Sequence, residues 1–194
     1  FITAAVKRWP NVLIQFEDIE FRKAFKLLER YRNEFLVFND DIQGTGAIVL
    51  AGILGALKVQ NRPSQKLTEQ IFVIVGAGGS GRGIMDALKN FLMRYGLSEE
   101  EALNKFYIID REGIITRRPG LDFFIEKFAR KESEFNKLKL LDVIRLFKPS
   151  VLIGVSGSGD IFTPDVLRAM KDPANGYMPI IFPLSSPASK SECT

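Results

Sequence analysis

The sequence predicts an α/β protein built on a doubly wound parallel sheet, and three observations carry that expectation. Short apolar runs alternate with helical patterns along the 194 residues, the sequence form of parallel strands joined by crossover helices. A glycine-rich run, Gly76-Ala77-Gly78-Gly79-Ser80-Gly81, follows one apolar run directly and opens a helical one. Acidic or glycine-rich segments come after strand upon strand, at the carboxyl edge where such sheets bind ligands.

The elements follow in order. Residues 12–16 read as a strand, and residues 19–33 as a helix with Phe21, Phe25, Leu28 and Tyr31 at spacings of three and four. Residues 35–38 form a short second strand. Residues 43–60 read as a largely buried helix, rich in Ala, Leu, Ile and Gly, which Asn61-Arg62-Pro63 breaks. Residues 71–75 are a β-branched strand, followed by glycines and a helix to about Tyr95. Ser98-Glu99-Glu100-Glu101 has capping-box spacing and opens a short helix. Residues 106–109 form the next strand, ending at Asp110. Residues 121–130 and 138–147 are expected as amphipathic helices on either side of a charged stretch. Residues 151–155 are another buried strand. Thr163-Pro164-Asp165 starts a helix with an N-cap hydroxyl and Pro at N1. Residues 179–182 form the last strand, before a Ser/Pro-rich tail.

Composition removes several classes of chemistry. With 46% hydrophobic and 26% charged residues the chain can build a core. It has one cysteine and no histidine, so it holds no internal disulfide, no histidine-based triad and no His-ligated metal. Any chemistry must run on carboxylates, Lys, Tyr, backbone amides or bound cofactors. The net charge of +4 would suit nucleic acid only if the bases clustered; here they alternate with acids, as in Lys131-Glu132, and no nucleic-acid partner is expected. The longest apolar run, residues 47–57, is too short to span a bilayer, so no membrane partner is expected either. A first residue that is Phe, with no leader pattern after it, suggests a processed, cleaved or excerpted chain.

Gly76 to Gly81 matches G-x-G-x-x-G in the strand-to-helix setting that gives the pattern meaning. Gly76 permits a tight turn, Gly78 lets a pyrophosphate approach the backbone, and Gly81 lets helix pack on strand. The helix N-terminus then faces the phosphates. The expected fold is therefore Rossmann-like and dinucleotide-binding. An acid closing the next strand should hold a ribose hydroxyl, and Asp110 stands there, 34 residues beyond Gly76 rather than the usual ~20. The helix near Ser98 absorbs the difference. Asp110 favours NAD over NADP, whereas Arg111, Arg117 and Arg118 are near enough in sequence to attract a 2′-phosphate. Ser156-Gly157-Ser158-Gly159 follows a buried strand and borders the nicotinamide half of such a crevice; Leu184-Ser185-Ser186-Pro187 should reach the same edge. Cys193 carries no sign of reactivity.

Two acidic clusters are the second signal. Glu17-Asp18 follows the first strand and Asn39-Asp40-Asp41 the second. One helix joins those strands, so they should be parallel neighbours with both clusters at one edge. Converging carboxylates without His or Cys describe an oxygen-only site for Mg²⁺ or Mn²⁺. The alternative is that Asp18 and Asp41 cap the helices that follow them.

Ile14-Gln15-Phe16-Glu17-Asp18, Phe38-Asn39-Asp40-Asp41-Ile42-Gln43-Gly44-Thr45, Ile153-Gly154-Val155-Ser156-Gly157 and Phe162-Thr163-Pro164-Asp165-Val166 together resemble the malic enzyme family. Glu192-Cys193-Thr194 fits as well. The resemblance implies metal-dependent conversion of malate to pyruvate and CO₂ with reduction of NAD or NADP. It implies Glu17, Asp18 and Asp41 as metal ligands. It places Thr45, Gly78, Gly79, Ser80, Asp110, Ser156 and Gly157 along the dinucleotide, beside the motif glycines Gly76 and Gly81. Asp40 would orient a basic lysine; the alternative is a buried acid that caps the helix after it. Residues 1–39 would end a flanking substrate domain, and residues 40–194 would form the NAD(P)-binding domain.

Departures from the family pattern qualify this. The family's general acid tyrosine, general base lysine and substrate-gripping arginine lie upstream of Phe1, so the chain alone is not expected to complete the reaction. The family has Ser-Asn-Pro after the last strand, where this chain has Ser185-Ser186-Pro187. Ser186 offers one rotating hydroxyl in place of a fixed amide at the cofactor and substrate. A malolactic-type enzyme and a non-catalytic dinucleotide-binding homologue are the alternatives. The resemblance also implies a dimer or tetramer for the complete protein, in the cytoplasm or an organellar matrix such as the mitochondrial one.

Overall fold

In the computed structural model, which describes residues 1–171 and 176–193, the chain forms two parallel sheets. The first part supplies α1 (Ile2–Arg8), β1 (Ile14–Phe16), α2 (Phe21–Tyr31) and β2 (Val37–Asn39). β1 and β2 pair in parallel with Phe16 opposite Asn39, as a single connecting helix requires. Ala24, Phe25 and Leu28 fall at helical spacing on α2 and bury that face with Ile42. Asp40–Gly44 then forms a wide π turn that runs into α3 (Thr45–Val59).

The larger sheet contains β3 (Phe72–Val75), β4 (Phe106–Ile109), β5 (Val151–Gly154) and β6 (Ile180–Pro183). All pairs are parallel, in the order β4-β3-β5-β6. Side chains alternate across a strand, so the sheet has two apolar faces. Phe72, Ile74, Phe106, Ile108, Val151 and Ile153 form one, packed with α3 and with α4 (Gly79–Arg94). Val73, Tyr107 and Leu152 lie on the other, covered by α7 (Leu140–Phe147) and α8 (Pro164–Met170). Helices on both faces make the sheet doubly wound, as expected. The topological switch falls between β3 and β5, since β4 lies on one side of β3 and the later strands on the other. The anticipated caps are present. Ser98 Oγ accepts from Glu101 N–H at 3.3 Å and Glu101 accepts from Ser98 N–H at 2.8 Å, opening α5 (Glu99–Leu103); Thr163 caps α8.

Some bounds differ from the sequence expectation, each for a local reason. The helix expected over 121–130 shrinks to α6 (Phe123–Glu126), because Arg130 is drawn into a parallel bridge with Thr116. Its N–H donates to the Ile115 carbonyl at 3.0 Å in place of that of Glu126, the bond a continuing helix would need. α1 shows no apolar periodicity because, of its residues, only Ile2 is buried. The helical run Asp40–Val59 outlasts the apolar run 47–57, and by length and composition alone it is long enough to cross a membrane. Val49, Ile53 and Leu57 bury one stripe of it against the sheet while Ile48 and Val59 stand exposed, so the helix expected to be largely buried is covered on its inner face only.

Close backbone contact locks α4 against the π turn and α3. A Cβ on Gly83 would lie 2.0 Å from the carbonyl oxygen of Ile42, and one on Gly46 2.6 Å from that of Gly83. Gly83→Ala is therefore expected to destabilise the chain by about 1–3 kcal/mol, read as a lowered midpoint in urea at unchanged slope.

Candidate functional site

The chain leaves β3 through Gly76, whose φ of +117° suits glycine alone. A Cβ there would also meet the Val155 carbonyl oxygen at 2.4 Å. The Cβ position of Gly81 lies 2.2 Å from the Gly76 carbonyl oxygen, so its absence seats the first turn of α4 on the strand. Gly78, the N-cap of α4, faces open space, and no side chain caps the helix. The first-turn amides, including those of Gly79 and Ser80, have no intrahelical acceptor, and the helix dipole adds to their pull on an anion. Amides so placed can receive a phosphate.

Asp110 lies at the carboxyl end of β4. Its Oδ1 accepts from the N–H groups of Glu112 at 2.8 Å and Gly113 at 3.2 Å, which fixes the turn and the carboxylate together. A cleft of about 510 Å³ opens here, lined by Gly76, Ala77, Asp110, Arg111, Lys139 and Ser156 among others. Of the three arginines considered from sequence, Arg111 reaches it. Arg118 pairs with Glu112 at 3.4 Å, and Arg117 lines a separate cavity of about 790 Å³ between α2 and α4. Lys139 is a cleft cation that the sequence did not single out. Its Nζ donates to the Glu112 carbonyl at 2.8 Å.

At the smaller sheet, the pairing of Phe16 with Asn39 sets Glu17 beside Asp40 as both strands end. Carboxylate oxygens of Glu17, Asp40 and Asp41 all lie within 4.8 Å of one another. The capping alternative does not describe these acids. Glu20 accepts from Arg22 N–H to cap α2, and Asn39 accepts from Ile42 N–H at 3.0 Å to cap the π turn. Asp18, at φ +51°, gives its own N–H to Asp41 Oδ2 at 3.2 Å. Its carboxylate is not one of the three that converge, although its charge acts on Glu17. The Glu17 carboxyl is pushed up to about 7, first by a hydrogen bond with Asp40 and then by the negative charges of Asp41 and Asp40. Asp40 Oδ1 is buried without a hydrogen-bond partner. Crowded carboxylates, a proton held against repulsion and an orphaned oxygen together fit a divalent cation with hard oxygen ligands. Thr45, expected along the dinucleotide, donates its hydroxyl to the Asp40 carbonyl at 3.3 Å and so ties α3 to this cluster.

The loops after β5 and β6 meet at the same edge of the larger sheet. Gly157 N–H donates to Ser185 Oγ at 2.8 Å, and Ser156 is held by Glu192, whose side chain is fully buried. Ser186 is exposed and precedes a cis bond to Pro187. Thr194 lies outside the described residues.

Comparisons with known proteins identify the family. The family model "Malic enzyme, NAD binding domain" matches residues 42–194. The NAD-dependent mitochondrial malic enzyme 2 of Arabidopsis thaliana is 41% identical over 197 residues, covering 100% of this chain and 32% of that protein. The NADP-dependent malic enzyme of Dictyostelium discoideum is 39% identical and covers 100% of this chain and 35% of its own length. The crystal structure of the NAD-dependent malic enzyme of Thermotoga maritima superposes with a TM-score of 0.72 at 28% identity, over 100% of this chain and 47% of that one. The chain thus spans about a third of the length of the curated relatives it matches. With its glycine turn and helix start inside a family model that matches most of its length, the chain belongs to the malic enzyme family.

Proposed function

We propose that this chain is the dinucleotide-holding part, with most of the metal cluster, of an oxidoreductase that converts malate to pyruvate and CO₂ while reducing NAD. One observation supports this most. Gly83 on α4 packs directly on Ile42 of the π turn, so the helix that receives the phosphates and the turn that carries Asp40 and Asp41 form one body. Residues 1–39 belong to a flanking unit in this reading, and residues 40–194 to the NAD-binding domain.

In that role the amides of Gly78, Gly79 and Ser80 hold the pyrophosphate, with Gly76 and Gly81 shaping the turn. Asp110 takes the ribose hydroxyls and repels a 2′-phosphate. Arg111 and Lys139 line the same cleft and would attract one, so the reading of NAD rests on Asp110, with Arg118 drawn off by Glu112. Ser156, Gly157 and Ser186 border the nicotinamide side. Glu17 and Asp41, whose carboxylates already converge with that of Asp40, would hold Mg²⁺ or Mn²⁺, with Asp40 beside them and its hydrogen bond to Glu17 released on binding. Asp18, the third ligand the resemblance implies, would have to turn its carboxylate into the cluster. A cation held there would supply Lewis-acid chemistry, polarising the oxygens of malate and stabilising the charge left on loss of CO₂. The mitochondrial relatives support an organellar matrix, with the cytoplasm as the other compartment the family reading allows, and the complete protein is read as an oligomer.

Titration of NADH followed by its fluorescence is expected to show saturable one-to-one binding to the chain; no binding would overturn the reading. Given malate, NAD and Mn²⁺, the same chain is expected to form no NADH above a blank, because it supplies cofactor and metal groups without the proton-transfer pair. Steady NADH formation would place that pair within these residues.

A further inference from the structure

We propose that Glu192 is a positioning residue that holds the loops after β5 and β6 in register for the nicotinamide half of the dinucleotide. The inference rests on the reading of the chain as a dinucleotide-binding domain.

Glu192 is fully buried, yet its carboxylate is surrounded by donors from both loops. Oε1 accepts from Ser156 N–H at 2.9 Å, from Ser156 Oγ at 2.8 Å and from Ser185 Oγ. Oε2 accepts from Ser185 N–H at 3.2 Å. One side chain thereby joins residues 36 and 7 positions away. The tie extends outward, since the Ser185 hydroxyl that donates to Glu192 accepts from Gly157 N–H. Ser156 Oγ likewise accepts from Ser158 N–H at 3.1 Å. Orientation of the amides at 157 and 158 therefore depends on a carboxylate beneath them.

Room for that carboxylate is made by Gly154, the last residue of β5. A Cβ there would stand 2.4 Å from Glu192 Cδ. Burial alone would raise the Glu192 carboxyl, but the hydrogen bonds from Ser185 and Ser156 outweigh it and hold the group below the ordinary glutamate value. A buried anion satisfied from two loops fixes their separation more sharply than apolar contact would, because each partner lost leaves a buried group unpaired. Past the switch point, toward β5 and β6, the crevice takes the nicotinamide end, whereas Asp110 on β4 lies at the adenosine end. Loosening Glu192 should disturb the first and spare the second.

The test compares NADH with ADP-ribose, which lacks nicotinamide, on the 194-residue chain and on Glu192→Gln. The amide turns one acceptor into a donor facing Ser185 N–H. NADH affinity is expected to fall about tenfold or more and the fluorescence of bound NADH to lose its enhancement, with ADP-ribose affinity kept within about twofold. Equal loss of both ligands would reduce Glu192 to general structure, and unchanged NADH binding would also overturn the proposal. If Glu192→Gln does not fold, Ser185→Ala decides, with a smaller loss in the same direction expected and no selective loss counting against it. Wild-type chain that binds neither ligand would instead overturn the dinucleotide reading itself, and this inference with it.

Discussion

Gly76→Ala is expected to abolish NADH binding, with an affinity loss of about a hundredfold or more. The substitution faces two obstacles at once: φ of +117° is foreign to an L-residue, and the new Cβ would meet the Val155 carbonyl oxygen at 2.4 Å. Relief requires the turn to move away from β5, which carries the first turn of α4 with it because Gly81 rests on the Gly76 carbonyl. The amides that hold phosphate then point elsewhere. Stability should fall by about 3 kcal/mol, seen in urea denaturation. Gly78→Ala is the matched control for space, since its Cβ position meets nothing within 4 Å. It should leave stability nearly unchanged while weakening NADH, because the pyrophosphate needs that open space. Equal NADH affinity in all three proteins would show that the turn holds no dinucleotide.

Glu17→Gln is expected to weaken Mn²⁺ binding by about a hundredfold while leaving the metal-free chain at least as stable as wild type. The gain follows from removing one of three carboxylates crowded within 4.8 Å. It also predicts a signature in pH. Glu17 titrates at about 7 in the folded chain against 4.5 without its neighbours, so folding holds a proton that the unfolded chain releases. Stability of the metal-free protein should then fall as pH rises from about 4.5 to 7, and Mn²⁺ should restore it. Glu17→Gln should flatten that slope. A variant with wild-type Mn²⁺ affinity and an unchanged slope would remove Glu17 from the cluster.

Much of this was legible in the sequence, because local signals carry it. The glycine turn is contiguous, its strand and helix flank it directly, and Asp110 ends the next strand. The two acidic pairs could be expected to meet, since one helix between two short strands leaves only a parallel pairing. What the sequence could not fix was which carboxylates converge. That depends on register: Phe16 opposite Asn39 puts Asp40, as well as Asp41, against Glu17 and turns the Asp18 backbone toward Asp41. Lys139 and Glu192 escaped for a related reason. Each acts on another loop, Lys139 on the turn after β4 and Glu192 on those after β5 and β6, through contacts that exist only once the sheet is assembled. The helix expected near residue 125 was misjudged in length because a tertiary bridge to Thr116 competes with helix propagation at Arg130.

The most direct test of the central claim, that one chain brings a divalent-metal cluster beside a dinucleotide turn, is a Mn²⁺ titration followed by the paramagnetic signal of the free ion. Wild-type chain and Asp41→Asn are compared, the variant keeping an oxygen for the Asp18 N–H while losing the charge. The prediction is saturable one-to-one binding by the wild type, lost in Asp41→Asn. Equal, weak binding by both would contradict it, and would leave the reading to rest on the dinucleotide turn.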